Sequence, residues 1–289
     1  MILSVDIFAV RAKFGDEKAI KMIRQAGFDA VDYFFGKPEI QGEMLGDNYL
    51  NSARDIKSML NANGIFCNQT HAPFIISRSD TFDTSNPNFN ELVRSLEFAS
   101  VLGAKCLVMH GIGVNSEQEF FDINRKFFKS LEPFCEKYNM PIAIENLLWY
   151  GKNLTGCLRT PDEINHMLAA LDSQWFTFCC DIGHSALCGV EPQDFILNMD
   201  NSVLTALHVH DNDRLQDIHS LPYTGFLDWD KITAALSEIS YRGDFTYELA
   251  GVLQRADASL IPDLLGIAAK TGRLLINKIM SCTGNAQSG

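Results

Sequence analysis

The densest chemistry in the chain lies between Leu207 and Trp229. It reads Leu207-His208-Val209-His210-Asp211-Asn212-Asp213-Arg214, then Asp217-Ile218-His219, the turn Pro222-Tyr223-Thr224-Gly225, and Asp228-Trp229. An apolar run over 203–207 leads into it, so a buried strand meets a polar loop at this point. Neutral imidazole and carboxylate together are the ligand mix that suits a divalent transition metal. One such histidine alone would more often be a hydrogen-bonded core residue. The reading changes because the rest of the chain repeats the arrangement.

These groups need positioning, and the apolar spacing says how. Strands are expected over 2–8, 30–34, 65–70, 106–109, 141–144, 175–180, 203–207 and 245–247. Amphipathic segments between them predict helices over 17–26, 53–63, 90–102, 117–138, 160–171, 192–199, 229–239 and 260–280. Gly27, Gly64 and Gly103 act as helix stops, and Pro161 sits at a first helical position. Apolar strands alternating with helices imply a parallel sheet, since each crossover helix covers a face of it. Eight such repeats predict an α/β fold, a single (β/α)8 TIM barrel over 1–280, followed by a polar tail over 281–289.

On that frame the metal-competent side chains share one place. His71, His110, Glu145, Asp181, His208 and Glu248 each follow a strand, from the third to the eighth. In a barrel those ends converge on the C-terminal face, where active sites of this fold lie. Glu145 and Glu248 come from non-adjacent strands and are expected to flank a ligand. A carboxylate bound to a metal keeps a free oxygen that can move a proton, while the metal polarises a carbonyl. That equipment removes a proton from the carbon beside a carbonyl and returns one elsewhere.

Other residues have plainer readings. His210 is expected on the opposite side of its strand from His208, packing or bonding in the loop. His166 is mid-helix and expected at the surface. Trp149, Tyr150, Phe74 and Phe8 form either an apolar wall against a substrate ring or ordinary packing at the barrel mouth. Arg214 is either a substrate clamp or a solvated loop charge.

Composition removes several classes. A net charge of −12 disfavours non-specific binding to nucleic acid or anionic membrane, so neither is an expected partner. Eight cysteines form no C-x-x-C pair, and several lie in apolar runs, which suits a reduced, cytoplasmic setting. No apolar run reaches membrane-spanning length, and the N-terminus lacks a basic leader pattern. Neither a dinucleotide fingerprint nor a phosphate-binding G-x-x-x-x-G-K-S/T loop is present. A homo-oligomer is the default expectation, dimers being commonest.

From Asp6 to about Gly272 the chain resembles the xylose isomerase-like barrel superfamily. That group includes sugar isomerases and epimerases, inosose dehydratase-like enzymes and endonuclease IV. The resemblance rests on His71-Ala72-Pro73, Glu145-Asn146, Asp181-Ile182-Gly183-His184, His208-Val209-His210-Asp211, the Pro222–Gly225 turn before Asp228-Trp229, and Tyr247-Glu248-Leu249. It implies one divalent metal (Mn, Zn, Co or Mg) on Glu145, Asp181, His208 and Glu248. The two glutamates would be the acid/base pair acting through an enediolate. His71, His110, His184, Arg214 and His219 would hold a carbohydrate substrate, with or without a phosphate. The endonuclease pattern of two or three metals also falls on residues here, with His71, His110, His184, Asp217 and His219 as further ligands. A metal-dependent phosphodiesterase and an inosose dehydratase-like lyase therefore stand as alternatives to the sugar isomerase or epimerase.

Overall fold

The strands are short runs buried on both faces, as a parallel sheet covered by helices requires. In Ala30–Phe34 every residue is buried, and the same holds for Ile142–Glu145. The structure is a computed structural model that describes residues 1–36, 44–74, 83–85, 87–114, 117–147 and 158–282. The first half runs β1 (Leu3–Asp6), α1 (Phe8–Phe14), α2 (Asp16–Ala26), β2 (Ala30–Phe34), α3 (Tyr49–Ala62), β3 (Phe66–His71), α4 (Pro87–Leu102), β4 (Leu107–Met109), α5 (Glu117–Tyr138) and β5 (Ile142–Glu145). The second half runs α6 (Pro161–Leu171), β6 (Phe176–Asp181), α7 (Ile182–Leu187), α8 (Pro192–Leu197), β7 (Leu204–His208), α9 (Trp229–Glu238), β8 (Phe245–Tyr247), α10 (Ala250–Arg255) and α11 (Ile261–Cys282).

The sheet order is β7-β6-β5-β4-β3-β2-β1-β8. The seam between β7 and β8 is closed just past the end of β7. Val209 bridges Tyr247 in parallel, its N–H donating to the Thr246 carbonyl at 2.9 Å. The Glu248 N–H returns a bond to the Val209 carbonyl at 3.1 Å. Eight parallel strands thus form a (β/α)8 barrel. The crossover helices seal its outside; α2, for example, buries Ala19, Ile20 and Ile23. Each fully buried isoleucine contributes roughly 1.5–3 kcal/mol.

Helix boundaries follow local chemistry. Gly27 takes the left-handed conformation (φ 104°) that ends α2. Thr160 and Glu163 form a reciprocal capping box at α6, with Pro161 inside it. The strand expected over 2–8 is shorter, because Asp6 Oδ1 accepts the Phe8 N–H at 2.7 Å and turns the chain into α1. A second unexpected helix, α7, starts where Asp181 Oδ1 accepts the His184 N–H at 2.6 Å. The last helix runs to Cys282, past the expected start of the tail; 283–289 lie outside the described residues.

The barrel lumen is filled by small side chains, Cys106, Val108, Ala143, Cys179 and Ala206. A polar chain crosses it: Ser4 Oγ donates to Asn68 Oδ1 (2.6 Å), Asn68 Nδ2 to Thr246 Oγ1 (3.0 Å), and Thr246 Oγ1 to Gln69 Oε1 (3.1 Å). Gln69 Nε2 then donates to Asp32 Oδ2 at 2.9 Å. Among the described residues no helix is long and apolar enough to cross a membrane.

The loop from β7 to α9 is held by one buried carboxylate. Asp211 Oδ1 accepts the N–H groups of Asn212 (2.9 Å) and Leu227 (3.1 Å). Its Oδ2 accepts Tyr223 N–H (3.1 Å) and Trp229 Nε1–H (2.8 Å). A Cβ on Gly225 would lie 2.3 Å from Asp211 Oδ1, so the turn needs glycine to approach this closely. Asp211→Ala strands these donors and should cost about 3 kcal/mol or more of stability, read from urea unfolding. A loss below about 1 kcal/mol would show that the loop does not depend on this carboxylate.

Candidate metal centre

His71, Glu145, Asp181 and His208 are the last residues of β3, β5, β6 and β7, and His110 and Glu248 come next after β4 and β8. The barrel therefore brings all six to one mouth. Ligand-capable atoms of Glu145, Asp181, His208 and Glu248 lie within 4.8 Å of one another. His71, Glu145 and His208 form a second such group, and His184, His210, Asp217 and His219 a third. Glu145 joins the first two. Its Oε1 faces His208 Nδ1 at 2.9 Å, and its Oε2 faces His110 Nε2 at 2.9 Å and His71 Nε2 at 3.2 Å. Asp181 joins the first group to the third, with His210 Nε2 at 3.1 Å from its Oδ1.

The imidazoles are oriented in one repeated way. A carbonyl can only accept, so a ring nitrogen beside one must carry the proton. His71 Nδ1 meets the Ala72 carbonyl (2.9 Å), His184 Nδ1 that of Asn146 (3.0 Å), and His219 Nδ1 that of Glu248 (3.1 Å). In each neutral ring the Nε2 lone pair then faces a carboxylate: Glu145 for His71, and Asp217 for His184 (3.4 Å) and His219 (3.1 Å). His208 has carboxylates on both sides, Glu145 at Nδ1 and Asp32 at Nε2 (3.3 Å). Lone pair against carboxylate is repulsive unless a proton or a cation lies between them. This is also the outer-shell pattern that aims a histidine at a metal.

Electrostatics agree with that reading. Burial works against an ionised Glu145, yet His208 and His110 outweigh it and hold its carboxyl well below the usual range. Burial likewise opposes ionised Asp181, and His184 and His210 overcome it and lower its carboxyl. Burial disfavours charge on His184, but Asp181 and Asp217 raise it well above the ordinary imidazole value. His219, also opposed by burial, is carried up to about 9 chiefly by Asp217. Without a metal these rings keep protons that a divalent cation would displace. The donor set thus fits divalent cations, on Glu145, Asp181, His208 and Glu248 first and on the third group as well.

His210 is not where the sequence reading put it. Residues two apart in extended chain share a face, and the chain stays extended through Val209, so His210 follows His208 inward. Its seat requires Gly183, where a Cβ would lie 2.0 Å from the His210 ring. Arg214 does not line the cavity; at φ 63° it turns away and pairs with Glu191, Nη2 to Oε2 at 2.9 Å. His166 is exposed and stacks on Phe121 (4.2 Å between centroids). Two buried carboxylates went unread: Asp6 closes β1, and its Cα partner Asp32 lies at the middle of β2. Asp6 carried the same signal as the others, an acid closing an apolar run, whereas Asp32 is followed by the apolar Tyr33 and Phe34.

The cavity at this mouth has a volume of about 540 Å³, within the range of small-molecule sites. Phe8, Phe34 and Phe74 line it as an arc, with centroids 5.1 Å and 5.0 Å apart, and Phe74 stacks on His110 at 4.8 Å. Phe8 and Phe74 are thus in the wall, whereas Trp149 and Tyr150 lie outside the described residues. Among the described lining residues there is no Lys or Arg, while Asp6, Glu145, Asp217 and Glu248 are all present.

With this geometry in place, the profile of the xylose isomerase-like TIM barrel family matches residues 20–261. The chain belongs to that family. It is 28% identical over 261 residues to the uncharacterised protein y4fM of Sinorhizobium fredii (strain NBRC 101917 / NGR234), covering 81% of each chain. Among solved structures it is similar to a D-tagatose 3-epimerase-like protein, at a TM-score of 0.75 and 18% identity over 100% of both chains. A D-psicose 3-epimerase with D-fructose gives 0.72 and 14%, and the IolI protein with a zinc atom 0.72 and 16%. Each covers 96% of this chain and 99% of the other. At such identities these likenesses show the shared barrel, and the side chains have to carry the function.

Asp6 offers a test of the crowding of acids. Burial first, then repulsion from Glu248 and Asp32, raise its carboxyl to about 7 from an ordinary 3.8. A raised acid contributes stability in full below its unfolded value and loses it as pH climbs through the folded one. Asp6→Asn removes that loss. In the metal-free protein the variant should melt higher than wild type at about pH 8, with the gap closing toward about pH 4. A gap independent of pH would mean that Asp6 does not titrate in this window.

Proposed function

We propose that this protein is a divalent-metal-dependent isomerase or epimerase of a carbohydrate. One observation carries the reading: Glu145 and Glu248, from β5 and β8, share a ligand group with Asp181 and His208, so two carboxylates flank one position. The proteins of similar fold described as ketose 3-epimerases support the same class. Coordinated through one oxygen, each glutamate keeps a second for proton work.

A bound divalent cation supplies the pull on the substrate carbonyl that makes the neighbouring C–H acidic. Everything else falls to the chain. Glu145 and Glu248 approach from β5 and β8, with Asp181 and His208 between them on β6 and β7. One takes the proton from the carbon beside the carbonyl; the other delivers a proton to the opposite face, or to the adjacent carbon. The first outcome is epimerisation at one centre, the second aldose–ketose exchange. Asp32 accepts from His208 Nε2 and holds that ring in register. The Phe8–Phe34–Phe74 arc excludes water from one wall and offers an apolar face to a sugar ring. His110, His184 and His219 line the same cavity, within reach of substrate hydroxyls.

A second reading has its own support. The group His184, His210, Asp217 and His219 has the donors of another metal site, and a multinuclear centre suits metal-assisted hydrolysis of a phosphodiester. The absence of Lys and Arg among the described lining residues counts against it, since a nucleic acid backbone needs cationic contacts.

Metal-loaded protein incubated with ketoses and aldoses in heavy water should place deuterium on the carbon beside the carbonyl. Glu248→Gln should keep metal and slow that exchange by roughly a hundred- to ten-thousand-fold. Elemental analysis in the same samples counts metals per chain. Should no sugar exchange while an abasic-site oligonucleotide is cleaved by a protein holding two or three metals, the hydrolase reading replaces this one.

A further inference from the structure

Of the acids that line the cavity, the three ligand groups leave one unused. Asp6 ends β1, is 2% exposed and lines the cavity, yet it belongs to none of those groups. Its Oδ1 is taken by the Phe8 N–H at 2.7 Å, and its Oδ2 has no hydrogen-bond partner among the described residues. The carboxyl is therefore pinned by its own backbone turn. Phe8, which supplies that N–H, lays its ring over Gly36, whose absent Cβ would sit 2.6 Å from the phenyl edge. One turn thus fixes a polar acceptor and an apolar surface side by side. Gln254, on the short helix α10 that follows β8, adds an amide to the same lining.

Resting on the carbohydrate reading above, we propose that Asp6 forms a subsite for a hydroxyl of an uncharged polyhydroxy substrate, whose C–H face lies on Phe8. The same subsite rejects a phosphate ester. A hydroxyl donates to the carboxyl oxygen left free by the turn, a bond that an analogue lacking the hydroxyl cannot make. A phosphate dianion placed at this subsite would meet the Asp6 carboxyl and the Phe8 ring and, among the described lining residues, no Lys or Arg. The metal-ligand groups are spoken for by the reacting end of the substrate, so Asp6 addresses a different part of it.

Isothermal titration calorimetry on metal-loaded protein tests this with D-fructose, D-tagatose and fructose 6-phosphate as probes, beside Asp6→Ala and Asp6→Asn. Wild type should bind a free ketose at least about tenfold more tightly than the phosphate ester. Asp6→Ala should weaken ketose binding by about tenfold, the worth of one buried hydrogen bond. Asp6→Asn, which keeps the shape and an acceptor, should lose less, and both variants should retain wild-type metal content. Unchanged ketose affinity in Asp6→Ala, tighter binding of the phosphate, no binding of either ketose, or loss of metal from both variants would each overturn the subsite. Sugar deuterium exchange that ignores Asp6 removes the subsite and leaves the isomerase reading standing. Ketose binding that requires Asp6 with no exchange does the reverse.

Discussion

A carboxylate that is 1% exposed can stay ionised only if positive charge is brought to it, and Glu145 is in that position. Among the described residues no Lys or Arg pairs with it. His71 and His208 supply the charge and His110 a further hydrogen bond, each from a different strand end; His71 is in turn fixed by Ala72 and His208 by Asp32. The ends of β3, β4, β5 and β7 have to meet for this one carboxylate to be tolerable. Asp181 and Asp217 repeat the arrangement with His184, His210 and His219. The mouth of the barrel is therefore a store of desolvated negative charge that the fold holds open for a cation.

Most of the frame was legible because both signals used are local. Buried parallel strands are continuous apolar runs, and Ala30–Phe34, Glu117–Tyr138 and Phe245–Tyr247 come out at the residues expected. What was missed involves a side chain bonding back to its own backbone. Asp6 stops β1 and starts α1, and Asp181 starts α7, each by accepting an N–H two or three residues on. Composition alone does not distinguish such an acid from one that simply ends a strand.

The site divides in the same way. Residues at strand ends were readable from the barrel rule, and all six fall at one mouth. Asp6 obeys that rule too, but β1 lacked a neighbouring histidine to draw notice, and Asp32 sits in the middle of β2, where the rule does not look. His210 was misplaced by an error of strand parity, and of the two readings of Arg214 the turn that sends it to Glu191 favours the loop charge. Which imidazole nitrogen faces which carboxylate was beyond any sequence argument, because it depends on carbonyls such as those of Asn146 and Glu248, supplied by other elements. Since identities to the solved barrels are 14–18%, the chemistry has to be argued from these orientations rather than from likeness of fold.

The closure between β7 and β8 has a further consequence. It rests on the amide and carbonyl of Val209, and Val209 stands between His208 and His210. The seam cannot breathe without swinging both imidazoles, and Glu248 moves with it, since its own amide is one of the two bonds. A cation held by His208 and Glu248 would then be a rivet through the last joint of the barrel. Its residence time would set how long the amides of Val209 and Glu248 stay hidden from solvent exchange.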